Sequence, residues 1–231
     1  MKLFGIEIDE RPRGEILRDI IQRISSSKRT FVVTANALIM LKAKEDKEYR
    51  DALKSADLVV PDGTGIVITA RFKGKKIGKY PGVELTKDLI NEGMNRDWKF
   101  YLLGAREEVV SKLVKALSAK GLNICGYHHG YFEGNGPVED IASKRPDVVL
   151  VAMGVPKQEL WIHKNIDKFD KGLFMGVGGT FDVLSGFKKR APSWMIEAGL
   201  EWLYRISQDP RRWRNIFKLM KFFFYAMFDR S

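Results

Sequence analysis

Asp62-Gly63-Thr64-Gly65 places a carboxylate beside two glycines just after the apolar run Leu58-Val59-Val60. A carboxylate there can act as a general base when a ligand hydroxyl comes within hydrogen-bond reach. The same residues can equally make a tight turn whose Asp caps a helix. Thr34 and Asn36 follow the earlier apolar run Phe31-Val32-Val33 and carry groups able to orient a hydroxyl or a sugar. Gly176-Val177-Gly178-Gly179-Thr180 follows Leu173-Phe174-Met175 and opens a helical pattern. Gly178 and Gly179 there would let backbone N–H groups approach a phosphate, helped by the partial positive charge of a helix start. Phe181 occupies the sixth position, so the loop departs from the dinucleotide fingerprint, and a structural turn fits it as well. Asp182 can accept from ribose hydroxyls or a base edge, or cap a helix.

Metal chemistry has little to stand on. His128 and His129 are adjacent in a glycine-rich loop, His163 lies in a helical pattern, and none pairs with a second histidine at i, i+4. No Asp-x-Asp pair exists to hold a metal against a nucleotide diphosphate. No metal site and no cofactor are expected. The charge of a departing diphosphate would then fall to helix N-termini and to Lys79, Lys157, Arg190, Arg205, Arg212 and Arg214, each of which is by default a solvated surface charge.

The elements that must position these groups are legible. Phe31-Val33, Leu58-Val60, Phe100-Leu103, Val148-Val151 and Leu173-Met175 read as strands, with Leu3 to Ile8 and Leu122-Cys125 as weaker candidates. Helical periods separate them, such as Ile16, Ile20, Ile21 and Ile24, or Val109, Leu113, Val114 and Leu117. Unbroken apolar strands alternating with helices predict a parallel sheet covered on both faces. Ligands bind such sheets where strands end and helices begin, and the distinctive polar and glycine residues cluster at those exits. The 45% apolar and 30% charged content is that of a globular chain. The single cysteine, Cys125, permits no internal disulfide, fits a reducing cytosol and reads as a small buried hydrophobe. Met1-Lys2-Leu3-Phe4-Gly5 shows no signal-peptide pattern.

Composition shifts after Gly186. Residues 187–231 hold ten Lys/Arg against four Asp/Glu, +6 of the chain's +11, and eleven of its 26 aromatic residues. On one helix from Arg211 to Phe228, the residues Arg211, Arg214, Lys218 and Lys221 form a basic stripe. Trp213, Ile216, Met220, Phe223, Phe224 and Met227 gather opposite it. Such a helix lies in a lipid headgroup layer. The run Ile216–Phe228 is thirteen residues with two lysines, short of the ~20 apolar residues a span needs. Covering the protein's own core, or a subunit interface in a homo-oligomer, is the plainer alternative. The expected division is a core over residues 1–190 and a helical amphipathic appendage over 191–231.

Eight motifs stand in one order: Thr34-Ala35-Asn36, Asp62-Gly63-Thr64-Gly65, Tyr80-Pro81-Gly82-Val83-Glu84-Leu85, Gly130-Tyr131-Phe132, Gly154-Val155-Pro156-Lys157-Gln158-Glu159, Gly178-Gly179-Thr180-Phe181-Asp182, Arg190-Ala191-Pro192 and Gly199-Leu200-Glu201-Trp202-Leu203-Tyr204-Arg205. Each alone is weak. Together they resemble the WecG/TagA/CpsF glycosyltransferases over nearly the whole chain. The resemblance implies metal-independent transfer, with inversion, of a sugar from a UDP donor to undecaprenyl-diphosphate-linked N-acetylglucosamine. It places that reaction at the cytoplasmic membrane face, in wall teichoic acid or surface polysaccharide synthesis. N-acetylmannosamine or its uronic acid is the sugar of the best-known members. It further implies that Asp62 is the base, that Thr34 and Asn36 contact acceptor or sugar, and that Gln158 matters for activity. Asp182 would contact the nucleotide, and Arg205, Arg212 and Arg214 would fold over the site. Lys79 stands where the family usually carries arginine, so charge is kept but the planar bidentate fork is lost.

The expected fold is α/β, a Rossmann-like, mostly parallel sheet with helices on both faces and a membrane-binding helical C-terminal appendage. The protein would be cytoplasmic and peripheral at the inner membrane face. Two rivals stand beside it. A nicotinamide-dependent oxidoreductase rests on the late glycine loop alone, without an early G-x-G-x-x-G. A nucleic-acid-binding protein rests on the basic tail, against which stands the apolar face behind it.

Overall fold

Each of the five apolar runs becomes a strand buried along its whole length: β3 Thr30–Ala35, β4 Leu58–Pro61, β5 Phe100–Gly104, β7 Val148–Ala152 and β8 Leu173–Gly176. The computed structural model describes residues 1–208 and 213–229. With β6, Ile124–His128, these strands form a six-stranded parallel sheet in the order β4-β3-β8-β7-β5-β6. β6 is the half-exposed edge and starts two residues later than the run Leu122-Cys125 suggests. The Leu3–Ile8 run does not join this sheet. Lys2–Leu3 (β1) and Ile6–Glu7 (β2) close as an antiparallel hairpin, because Phe4 and Gly5 both take positive φ in a two-residue turn.

Helices cover both faces. Packed in one layer are α2 (Ala37–Glu45), α3 (Lys47–Lys54), α4 (Thr64–Phe72), α7 (Val138–Lys144) and α8 (Lys157–Asn165). The other layer holds α1 (Arg13–Ser25), α5 (Gly82–Arg96), α6 (Glu107–Ser118) and the short α9 (Thr180–Leu184). The helical periods land where expected: Ile16, Ile20 and Ile24 are buried on α1, and Val109, Leu113 and Leu117 on α6. After β3 the chain leaves to the first layer and after β8 to the second. The β3/β8 crevice is therefore a topological switch point, where such sheets bind ligands.

The tail folds as α10 (Ser193–Glu197), α11 (Glu201–Gln208) and α12 (Arg214–Met227). α12 packs against α2 and α4, with Phe222 fully buried in the same core as Ala37, Ile39 and Ile66 and edge-on to Phe4. Its apolar residues do not form the one face expected. Ile216, Leu219, Phe222, Phe223 and Ala226 turn inward, whereas Trp213, Phe217, Met220, Phe224, Met227 and Phe228 are exposed. Arg214, Lys218 and Lys221 run beside the exposed stripe. At 100° per residue these are three sectors of one helix. Arg211 lies outside the described residues. No helix among them is long and apolar enough to cross a membrane.

Candidate active site

β3 and β4 end side by side, and their exits carry the polar groups. Asn36 caps α2, its Oδ1 accepting from Leu38 N at 3.0 Å and Ile39 N at 3.1 Å. Asp62 leaves β4 with its N–H donated to Ala35 O at 2.8 Å. It does not occupy the cap of the next helix: that position is Gly63, whose φ of 101° suits glycine. Thr64, opening α4, donates its hydroxyl to Gly199 O at 3.4 Å. Lys79 Nζ donates to Ile196 O at 3.2 Å. The tail is thus hooked to the core at two points, Thr64 at the start of α4 and Lys79 before α5.

Between these exits and the tail helices lies a cavity of about 450 Å³. Asn36, Asp62 and Lys79 line it from the strand side. Leu38, Ile68, Trp202, Ile206, Ile216, Leu219, Met220 and Phe223 make it mainly apolar, and Glu201 and Asn215 add polar groups from α11 and α12.

Thr34, Gln158, Gly178, Gly179 and Asp182 sit at the neighbouring exits and are not among the residues that line this cavity. Thr34, buried, donates its hydroxyl to Gly176 O at 3.3 Å and ties β3 to β8. Gln158 is buried at the start of α8, after the cis Val155–Pro156 peptide. Its Oε1 accepts from Gly154 N at 3.2 Å and Gly178 N at 2.9 Å, joining the loops after β7 and β8. A Cβ on Gly176 would fall 2.6 Å from Gln158 Nε2, so only glycine lets the glutamine reach across. This revises the phosphate cradle. The Gly178 N–H is committed to Gln158, and α9 is five residues long, so its dipole is small. Gly179 is the exposed member of the pair. Asp182 is no helix cap; its Oδ2 takes Lys188 Nζ at 2.8 Å.

Gln158 Nε2 donates to Glu159 Oε1 at 2.7 Å. Glu159 is 1% exposed. Burial pushes its carboxyl up to about 7, against smaller downward pulls from Gln158, the backbone and Tyr49. Glu159 Oε2 and the Tyr49 hydroxyl interact across the α3–α8 contact, each buried without a hydrogen-bond partner among the described residues. Burial, and then the Glu159 charge, hold Tyr49 protonated.

Arg190, among the expected phosphate cations, pairs with Glu84, which also meets Lys87 at 3.5 Å. Burial raises the Glu84 carboxyl, and the hydrogen bond and charge of Arg190, with Lys87, more than reverse this. Lys157 is exposed at the start of α8, and Arg214 is exposed on the first turn of α12, outside the cavity lining. Arg205 belongs to α11. Arg212 lies outside the described residues. Sequence reasoning missed Asn215, although a lone amide in the inward sector of an apolar helix is a signal. It also missed Glu159, which reads as one more charge on a helix. No group of three or more His, Cys, Asp or Glu able to hold a metal occurs among the described residues.

The sequence profile of the glycosyl transferase WecG/TagA/CpsF family matches residues 1–231. Similar proteins include two named N-acetylglucosaminyldiphosphoundecaprenol N-acetyl-β-D-mannosaminyltransferase. That of Bacillus spizizenii is 36% identical over 203 residues, covering 86% of this chain and 79% of its own length. That of Staphylococcus aureus is 34% identical over 223 residues, covering 94% and 87%. A match of this extent establishes that the chain belongs to the WecG/TagA/CpsF family of glycosyl transferases.

Proposed function

We propose that this protein transfers N-acetylmannosamine, or a closely related sugar, from a UDP donor to N-acetylglucosamine linked through a diphosphate to undecaprenol. The observation that carries the reading is the cavity. Its polar lining of Asp62, Asn36 and Lys79 meets an apolar wall built by α11 and α12, which suits an acceptor with a sugar diphosphate at one end and a prenyl chain at the other. The names of the similar Bacillus and Staphylococcus proteins describe that same acceptor and N-acetylmannosamine.

In the proposed step Asp62 accepts the proton of the acceptor hydroxyl as its oxygen attacks the anomeric carbon. The bond from that carbon to the UDP oxygen breaks, UDP leaves as an anion, and the configuration inverts. Asn36 and Lys79 hold the acceptor, with Thr34, Gln158, Gly178 and Gly179 shaping the donor side and Asp182 facing the nucleotide. The tail cations Arg205 and Arg212, with Lys79, neutralise the diphosphate without a metal. The exposed aromatic stripe of α12, flanked by Arg214, Lys218 and Lys221, rests on the inner face of the cytoplasmic membrane and brings the site to its lipid acceptor. The division at residue 190 belongs to the same proposal.

Purified full-length protein, supplied with UDP-N-acetylmannosamine and a short-prenyl acceptor, should give a disaccharide diphosphate of inverted anomeric configuration, read by mass and NMR. Turnover should persist in excess chelator. No product from any member of a UDP-sugar panel would end the proposal, and loss of turnover with chelator, restored by magnesium or manganese, would end its metal-independent form.

A further inference from the structure

Phe72, the last residue of α4, is 81% exposed, more than any other large hydrophobic described. It opens a segment with Arg71, Lys73, Lys75, Lys76 and Lys79 and no acidic residue between 71 and 80. Lys73 is held by Asp229 and Lys75 by Glu10. Arg71 and Lys76 are exposed and make no ion pair among the described residues. An aromatic side chain standing in water beside unpaired cations has no role in the core and none in the cavity.

Its position relative to the tail follows from two contacts. A Cβ on Gly65, near the start of α4, would lie 3.8 Å from the Phe222 and Phe223 rings. At the other end Lys73 Nζ meets Asp229 O at 2.7 Å and Oδ2 at 3.2 Å. Eight residues along α4 thus match six or seven along α12, so the two helices run parallel and finish together. Asp229 also accepts from Phe4 N at 3.1 Å, which fixes that end to the hairpin. Phe72 therefore precedes the residue that meets Asp229, the next residue after Phe228 at the end of the exposed stripe.

We propose that the C-terminal end of α4 and the loop after it are a second membrane contact, made by the core itself: Phe72 enters the acyl boundary while Arg71 and Lys76 meet anionic headgroups. The proposal rests on the tail's attachment to the membrane and goes beyond it. The occupant is an anionic bilayer, because the patch is apolar at its centre and cationic at its rim, and the Lys73–Asp229 contact ties it to the end of α12. Two anchors on parallel helices fix the tilt of the molecule, and with it the height of Asp62 above the lipid, where one anchor would leave the core free to swing.

Full-length protein would be floated with vesicles of mixed phosphatidylglycerol and phosphatidylcholine, and with phosphatidylcholine alone. Phe72→Ser should weaken binding to the mixed vesicles about tenfold with an unchanged thermal midpoint, and Arg71→Gln with Lys76→Gln roughly fivefold per charge. In a Cys125→Ser background, an environment-sensitive dye on Phe72→Cys should shift to the blue on mixed vesicles. The same dye on Lys120→Cys, beyond the opposite edge strand β6, should not. If wild type binds, Phe224→Ser weakens binding and Phe72→Ser does not, this proposal is overturned and the tail reading stands. If wild type binds neither vesicle, both fall. A change in oligomeric state with Phe72→Ser, without a change in vesicle binding, would make the patch an interface between copies and also overturn it.

Discussion

Asp62 sits one residue ahead of the cap of α4, in a turn that Gly63 makes and Gly199 closes from the other side. Replacing Asp62 with Asn keeps the shape of that turn and removes its basicity. The expected result is a fall in kcat of about 10²–10⁴ with UDP affinity nearly intact, by steady-state kinetics and calorimetry. A variant that keeps most of its kcat would return Asp62 to a turn residue. Glu159 makes a different prediction. Its carboxyl is raised from an ordinary 4.5 to about 7, so the folded protein binds a proton that the unfolded chain releases. Stability from this site is full below pH ~4.5 and declines as pH rises through ~7, by roughly 3 kcal/mol. Tyr49 on α3, Asp46 at the cap of α3 and Gln158 are the polar groups that bear on this buried pair. Glu159→Gln mimics the protonated form. It should flatten the fall in thermal midpoint between pH 4.5 and 7 while keeping the bond to Gln158, and an unchanged slope would refute the assignment. Glu159→Ala should instead loosen Gln158, which clamps Gly154 and Gly178, and lower turnover at every pH.

At the scale of elements, α12 is where sequence and structure part most instructively. The 3.6-residue pattern foretold a helix, and the helix is there. Which apolar side faces inward was not legible, because two of its three sectors are apolar and only the packing surface of α2 and α4 selects between them. The five buried strands were legible because burial on both faces leaves no polar alternation to confuse. The Leu3–Ile8 run was not, since its fate depends on two positive φ angles at Phe4 and Gly5. At the site, Asp62 and Asn36 were legible as strand-exit groups and Lys79 as a cation for the diphosphate, and the three share one cavity. The commitment of Gly178 to Gln158 was not, because it joins loops twenty residues apart in sequence. The sectors give separable outcomes. Phe222→Ala should cost about 3–5 kcal/mol in denaturant unfolding. Phe223→Ser, in the cavity wall, should raise KM for a short-prenyl acceptor. Phe224→Ser should leave that KM alone and reduce vesicle binding. Equal effects of the last two on vesicles and KM would erase the distinction between inner and outer sectors.

Taken whole, the molecule carries +11, more than half of it in residues 187–231. Family membership gives that charge a setting, and it removes the oxidoreductase and nucleic-acid readings that charge and a late glycine loop had left open. If the charge meets an anionic surface, binding to phosphatidylglycerol vesicles should weaken steeply as salt is raised, by up to about 1 kcal/mol for each cation screened. Binding that ignores salt would assign the contact to the aromatic stripe alone. Deleting residues 191–231 is a blunter experiment than it looks. It strips Phe222 and Ala226 from a shared core and uncovers Ala37, Ile39 and Ile66, so loss of activity would be confounded with loss of fold. Point changes in the separate sectors avoid that confusion.

The three-sided use of one fourteen-residue helix also sets how freely this tail can drift under selection. Most surface helices tolerate substitution on their outer half. Here Leu219 and Phe222 answer to packing and, on the proposed membrane contact, Phe217 and Phe224 would answer to lipid and Lys218 and Lys221 to charge. Few positions remain neutral, and a saturation library selected for growth should find α12 as intolerant as a central strand. The same library screened only for folding should find its outer and basic positions permissive.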